Sequence, residues 1–292
     1  MPVRKVVIPA AGLGTRCLPL TKALPKELLP IYNRPALEVI ADEAVASGID
    51  TLVLVTSKGK SAVEDHFDRA PHLESRLADK PALKQSILRQ TEMVSALAVR
   101  QGEANGLGHA VGCGEAAVGD ESFAVMLPDD LIFSETPALK RLIDVHESTG
   151  KAVVLLMEVP WEQTRRYGVV DATKRSDGHY DIHALIEKPS PEVAPSNLAI
   201  VGRYVFPSSI FEKIRQTGSG ALGEIQLTDA MMALTQENGM VGVMLEGTRL
   251  DTGNPLGLLL AGLHYASRDP KARDALAEAT ARLFASSTEP TQ

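Results

Sequence analysis

Apolar positions in the first half of the chain fall into short runs bounded by residues that break regular structure. Val6, Val7 and Ile8, and then residues 52–55, read as strands buried on both faces, residues 96–99 as a further strand, and residues 123–127 as the clearest central strand. Between the first two, Leu37, Ile40, Ala41, Ala44 and Val45 repeat at i, i+3, i+4, i+7 and i+8, one apolar stripe closed by Gly48, which predicts a helix. Strand, helix and strand in that order predict a right-handed crossover with parallel strands. Residues 61–88 are helical in pattern and mostly polar, broken at Pro71 and Pro81, and read as surface cover without chemistry.

After Lys151 the pattern changes. Residues 152–159, 167–171, 182–187 and 198–206 read as strands with little helix between them. A helix from 207 to 216, a glycine-rich turn at 218–223, a helix start at 224–229 and a strand at 241–245 follow. Residues 255–284 are helical and rich in Ala and Leu, and the Ser-Ser-Thr-Glu-Pro-Thr tail should fray. The expected fold class is α/β: a doubly wound, mostly parallel mixed sheet with a strand-rich insertion and a C-terminal helical segment. We expect one domain over 1–292, divided into halves at 1–150 and 151–254 with C-terminal helices and tail at 255–292.

Candidate chemistry collects where these strands end. Gly12 and Gly14 follow the first strand, where missing β-carbons permit a sharp turn and let backbone N–H groups approach an anion. Arg16, Lys22 and Lys26 come next, among Pro19, Pro25 and Pro30. A glycine turn beside three cations suits a polyphosphate, although a lone G-x-G equally makes a tight turn. The third glycine of a dinucleotide fingerprint is missing, Cys17 standing in its place, and no G-x-x-x-x-G-K loop occurs. Gln101, which can both donate and accept, enters a second glycine-bearing loop with Gly106 and Gly108, and suits the paired edge of a pyrimidine. Asp129 and Asp130 leave the central strand; bare, Pro-Asp-Asp is a turn, but carboxylates at the carboxyl end of a buried strand face a sheet crevice and suit Mg²⁺. His179 and His183 fit a surface hairpin better than a metal site.

Composition narrows the field. A net charge of −7 over 292 residues argues against a general nucleic-acid binder. Cys17 and Cys113 form no CxxC pair, which suits a reducing compartment. No apolar run nears the roughly 18 residues of a membrane helix, and no signal-peptide h-region opens the chain, so a cytoplasmic protein without membrane partners is expected. No G-x-S-x-G or H-E-x-x-H motif is present.

The segment from Gly12 to Thr21, G-x-G-T-R-x-x-P-x-T, with P-K-x-x-x-P from Pro25 to Pro30, resembles the signature of the sugar-nucleotide pyrophosphorylases. Gln101-x-Glu103-x-x-Gly-Leu-Gly-His-Ala, Leu127-Pro-Asp-Asp130, Tyr167-Gly-Val-Val, Glu187-Lys-Pro189, the run from Ala194 to Tyr204, and Glu224-Ile-Gln-Leu-Thr-Asp229 resemble further family segments in the family's order, covering nearly the whole chain. The resemblance is to uridylyl-transferring members. It implies a Rossmann-like nucleotidyltransferase fold, with UTP and glucose 1-phosphate as substrates, UDP-glucose and pyrophosphate as products, and a homo-oligomer.

Carried over residue by residue, the resemblance implies Arg16, Lys26, Asp129 and Lys188 as catalytic. It puts Ala11, Gly12, Gly14, Glu27, Gln101, Gly106 and Asp130 around the nucleotide, and Gly168, Glu187, Lys188 and Gly202 around the sugar. It makes Asp129 a ligand of Mg²⁺, with Asp251 completing the set. Gln226 is a weaker site candidate. Thr252 stands where uridylyltransferases usually carry Cys, as in thymidylyltransferases, which leaves a thymidylyltransferase as an alternative. A non-catalytic sugar-nucleotide sensor and a dinucleotide-binding oxidoreductase are the alternatives of a different class.

Overall fold

The computed structural model describes residues 2–218 and 223–285. The glycine-rich turn at 218–223 thus falls in part, and the C-terminal tail wholly, outside the described residues. In chain order the strands are β1 (Lys5–Pro9), β2 (Pro30–Ile31), β3 (Arg34–Pro35), β4 (Thr51–Thr56), β5 (Ser95–Arg100), β6 (Phe123–Met126), β7 (Asp130–Phe133), β8 (Ala152–Glu158), β9 (Gly168–Lys174), β10 (Tyr180–Glu187), β11 (Leu198–Phe206), β12 (Met240–Met244) and β13 (Thr248–Asp251).

Nine of them form one sheet in the order β5, β4, β1, β6, β11, β8, β12, β10, β9. The first four are parallel, as the crossover reading requires, and β1 lies inside the sheet between β4 and β6. The expectation of a mostly parallel sheet needs correction. β11 runs antiparallel to both β6 and β8, β10 runs antiparallel to β12 and β9, and only β8 with β12 restores a parallel pair. For β9 and β10 the physical reason is connection length: a parallel neighbour needs a crossover of about a dozen residues or more, whereas these two strands are joined by a short turn. That turn is the hairpin expected around His179.

Alternation along β1 sends side chains to two separate cores. Val6 and Ile8 pack with Leu37, Ile40 and Ala44 of α1 (Ala36–Ala46), beside Leu139 and Leu142 of a later helix at Ala138–Thr149. Val7 faces the other way, toward Val111, Phe211 and Leu234. These belong to helices at Leu107–Cys113, Ile210–Gln216 and Leu227–Asn238. Helices therefore cover both faces. The polar stretch forms α2 (Ser61–Asp65), α3 (Pro71–Arg76) and α4 (Pro81–Met93), with each proline at a helix start, where its missing N–H costs nothing. Residues 255–284 form helices at Pro255–Ala266 and Pro270–Ala285. Among the described residues, no helix is long and apolar enough to cross a membrane.

A two-stranded ladder pairs β13 antiparallel with β7 and sets Asp251 opposite Asp130. It brings the two distant acidic segments to one edge of the crevice, beyond the carboxyl ends of β1 and β6.

Candidate active site

Two adjoining cavities, of about 300 and 480 Å³, share Asp129 as a common wall. Ala11, Gly12, Gly14, Lys26, Gln101 and Gly106 line the larger one. Arg16, Asp130, Gly168, Glu187, Lys188, Gly202 and Asp251 line the smaller. The structure thus brings together every residue that the resemblance assigned to catalysis, nucleotide, sugar or metal except Glu27, whereas Lys22 and Gly108 line neither cavity.

In the larger cavity, Gly14 takes a left-handed backbone (φ 67°), and a β-carbon there would lie 3.0 Å from Thr21 and 3.1 Å from Lys26 Cβ. Thr21 Oγ1 donates to Gly14 O at 2.8 Å, which pins the turn. Gln101 is buried and its amide nitrogen lies 3.3 Å from Gly106 O in the loop and 3.0 Å from His109 Nδ1 on the helix that follows. Gly106 and Gly108 have a packing reason: a β-carbon at either would lie 2.8 Å from Ile225 O.

Glu27 does not face the cleft. Its side chain is fully buried and binds Lys60 Nζ through both oxygens, at 3.0 and 2.9 Å. Burial raises the Glu27 carboxyl above its ordinary value and lowers the Lys60 ammonium below its own, each against the pull of the partner.

At the shared wall, Lys26 Nζ donates to Asp129 Oδ2 at 2.6 Å. Burial is the largest influence on each and disfavours its charged form, but the charge and hydrogen bond of Asp129, with the charge of Glu27, together outweigh it and raise the Lys26 ammonium. The charge and hydrogen bond of Lys26, with a backbone hydrogen bond and Arg16, together hold the Asp129 carboxyl below its usual range. Arg16 spans the two acids, Nη2 3.6 Å from Asp129 Oδ2 and Nη1 3.6 Å from Asp251 Oδ2. Arg166 also reaches Asp251 at 3.6 Å. A β-carbon at Gly253 would collide first with Arg16 Nη2 and would lie 2.9 Å from both Asp129 Oδ2 and Asp251 Oδ1, so the glycine leaves room for the guanidinium between the two carboxylates. Among the described residues, no group of three or more His, Cys, Asp or Glu could hold a metal alone. Two hard carboxylates that converge on one cationic partner, Arg16, fit Mg²⁺, which takes one or two carboxylates and completes its shell with phosphate and water.

In the smaller cavity, Asp130 is buried and accepts from Gly202 N at 2.9 Å and from Arg249, which also donates to Tyr167 Oη at 3.1 Å. Burial pushes the Asp130 carboxyl up, with Arg249 opposing. A β-carbon on Gly202 would lie 2.7 Å from Asp130 Oδ2, so only glycine allows this approach. Glu187 Oε2 accepts from Thr228 Oγ1 at 2.6 Å, and its Oε1 lies 3.1 Å from Lys188 Nζ. Lys188 holds a left-handed backbone (φ 47°), uncommon for lysine, and is half-exposed toward the cavity. Gln226 also lines this cavity.

Thr252 lines neither cavity. Its N–H and hydroxyl donate to Asp129 O at 2.8 and 3.1 Å, so it fastens the end of β13 to the acidic turn. Sequence reasoning missed Lys60, Arg166, Thr228 and Arg249. Thr228 and Arg249 lay beside residues already singled out; Lys60 and Arg166 carried no signal beyond their charge.

A sequence model of the nucleotidyl transferase family matches residues 5–268. The chain belongs to the nucleotidyl transferase family. It is 46% identical over 278 residues to a UTP–glucose-1-phosphate uridylyltransferase of Bacillus subtilis (strain 168), covering 94% of each chain. Among solved structures, a UDP-glucose pyrophosphorylase complexed with UDP-glucose superposes with a TM-score of 0.83 at 36% identity, covering 91% of this chain and 99% of that one. A UTP-bound enzyme from Acinetobacter baumannii superposes with a TM-score of 0.88 at 37% identity, covering 96% and 99%. Nucleotidyl transferases of this family generally use a divalent metal, in keeping with the paired carboxylates.

Proposed function

We propose that the chain transfers the uridylyl group of UTP to glucose 1-phosphate, giving UDP-glucose and pyrophosphate. The observation that carries the reading is the meeting of the two cavities at the Lys26–Asp129 pair, with a cation-bearing loop on one side and a hydroxyl-binding carboxylate on the other. The names of the relatives above support the choice of substrates.

Glucose 1-phosphate would enter the smaller cavity, where Glu187, oriented by Thr228, accepts from sugar hydroxyls and Lys188 offers its charge to the sugar phosphate. One of that phosphate's oxygens attacks the α-phosphorus of UTP in line, the bond to the β-phosphate breaks, and pyrophosphate leaves. The nucleophile is already an anion, so no general base is required, and the protein acts by positioning and charge neutralisation. Arg16 and Lys26 hold the triphosphate and stabilise the departing pyrophosphate. Asp129 and Asp251 would hold a divalent cation, here assigned as Mg²⁺, which when bound supplies further neutralisation of phosphate charge. The same reading takes the protein as a cytoplasmic homo-oligomer acting on small molecules, without nucleic acid or membrane.

A pyrophosphate-release screen of four nucleoside triphosphates against glucose, galactose and mannose 1-phosphates tests it. UTP with glucose 1-phosphate should be fastest. Preference for the thymine nucleotide would make the chain a thymidylyltransferase, a choice resting on room for one methyl group worth about 1–3 kcal/mol. No release with any pair would make it a non-catalytic binder.

A further inference from the structure

Three successive carbonyl groups of the glycine-bearing loop are gripped from behind. Lys60 Nζ donates to Ala10 O and to Gly12 O, both at 2.6 Å, and Ser57 Oγ donates to Ala11 O between them at 3.1 Å. The third donor of the Lys60 ammonium goes to Glu27. Side-chain exposure is 9% for Lys60 and 0% for Glu27, and neither lines the cavity, so the pair lies beneath the loop.

The consequence follows from peptide geometry. Across a planar trans peptide, the carbonyl of one residue and the N–H of the next point in opposite directions. Holding the carbonyls of Ala10, Ala11 and Gly12 toward residues 57–60 therefore turns the N–H groups of Ala11, Gly12 and Leu13 the other way. None of these three N–H groups donates to a backbone carbonyl among the described residues, and all three residues line the larger cavity beside Lys26 and Asp129. Successive N–H groups facing one way form an anion-binding concavity.

We infer that Lys60, with Ser57 and Glu27, is the positioning device of the phosphate-binding loop, setting three peptide N–H groups toward the nucleotide without touching it. The inference rests on the reading above that this loop takes the triphosphate. A single ammonium can satisfy two carbonyls and a carboxylate at once, and the buried carboxylate of Glu27 offsets the charge that the loop needs behind it.

Steady-state kinetics of Lys60→Met, varying each substrate in turn, test it alongside thermal unfolding of the same variant. Methionine keeps the stem and removes the donors. The Michaelis constant for UTP should rise about tenfold or more, as expected when oriented donors at a charged group are lost, while that for glucose 1-phosphate stays within about twofold. Ser57→Ala removes one neutral hydrogen bond and should move the same constant in the same direction, by about two- to tenfold. A folded Lys60→Met enzyme with an unchanged constant for UTP, or with equal changes for both substrates, overturns the inference and leaves Lys60 a structural clamp. If Lys60→Met does not fold, Ser57→Ala decides, and an unchanged constant for UTP there overturns the inference equally. Lys26→Ala, assayed in parallel, separates the two readings. Normal UTP kinetics in Lys26→Ala would remove the assignment of the loop to the triphosphate, whereas impaired UTP kinetics there with normal kinetics in Lys60→Met would remove only the role of Lys60.

Discussion

Lys26 Nζ stands 2.6 Å from Asp129 Oδ2, joining the loop after β1 to the turn after β6 across 103 residues of sequence. Each group shifts the other toward its charged form despite burial, so the junction of the two cavities carries a fixed positive and a fixed negative charge at neutral pH. A phosphate chain can take over the lysine and a divalent cation the aspartate.

Removing the negative member tests the metal assignment. Asp129→Asn keeps the shape and one acceptor for Lys26, and should cut turnover about a hundredfold or more while the protein stays folded. Pyrophosphate release measured at limiting Mg²⁺ checks this. Unchanged turnover in the folded variant would mean that Asp129 is no ligand.

Removing the positive member tests the triphosphate site. Lys26→Ala should weaken UTP binding and turnover far more than affinity for glucose 1-phosphate, by about 2–4 kcal/mol in kcat/KM. Normal UTP kinetics would make Lys26 an ordinary partner of Asp129.

The sugar side should respond separately. Lys188→Met should lose about 2–4 kcal/mol of transition-state stabilisation, the scale of one charged contact in a preorganised site. Glu187→Gln weakens the acceptor that Thr228 orients, so the Michaelis constant for glucose 1-phosphate should rise while that for UTP changes little. Equal damage to both constants would put the sugar elsewhere.

A buried ion pair outside the cavities should matter for stability. Arg203 is fully buried and binds Glu43 through Nε at 3.1 Å and Nη2 at 2.6 Å. Glu43→Ala leaves the guanidinium buried without its counter-charge, at a cost of about 3–5 kcal/mol. Denaturant unfolding measures this, and a loss below about 1 kcal/mol would show that the guanidinium finds other partners or water.

Acid should weaken a second charged cluster. Burial alone would raise the Glu38 carboxyl, but His66, Arg34 and Arg89 outweigh it and hold the group below its ordinary value of 4.5. A depressed folded-state value means that ionised Glu38 stabilises the fold above the ordinary value, and that this stabilisation is lost as pH falls through the lower, folded one. Glu38→Gln should therefore cost about 1–2 kcal/mol at neutral pH, the scale of charged hydrogen bonds in a partly buried setting. The gap between variant and wild type should close on the acid side of 4.5. A gap independent of pH would assign the loss to shape instead of charge.

The sequence by itself determined what is local. Short apolar runs between breakers marked β1, β4 and β6, the 3.6-residue stripe marked α1, and glycines, cations and carboxylates at strand ends marked most of the cavity lining, because periodicity and residue chemistry act over a few positions. Tertiary structure decided how those pieces meet. The antiparallel placement of β11 between β6 and β8 made the sheet mixed, and the register of β13 on β7 set Asp251 opposite Asp130. Glu27 and Asp129 show the limit most plainly: each is an acid beside a strand-end turn, yet one lies buried under the loop on Lys60 and the other forms the wall between the cavities on Lys26. Which cation an acid meets depends on segments tens to a hundred residues away, and short-range patterns carry no record of that distance.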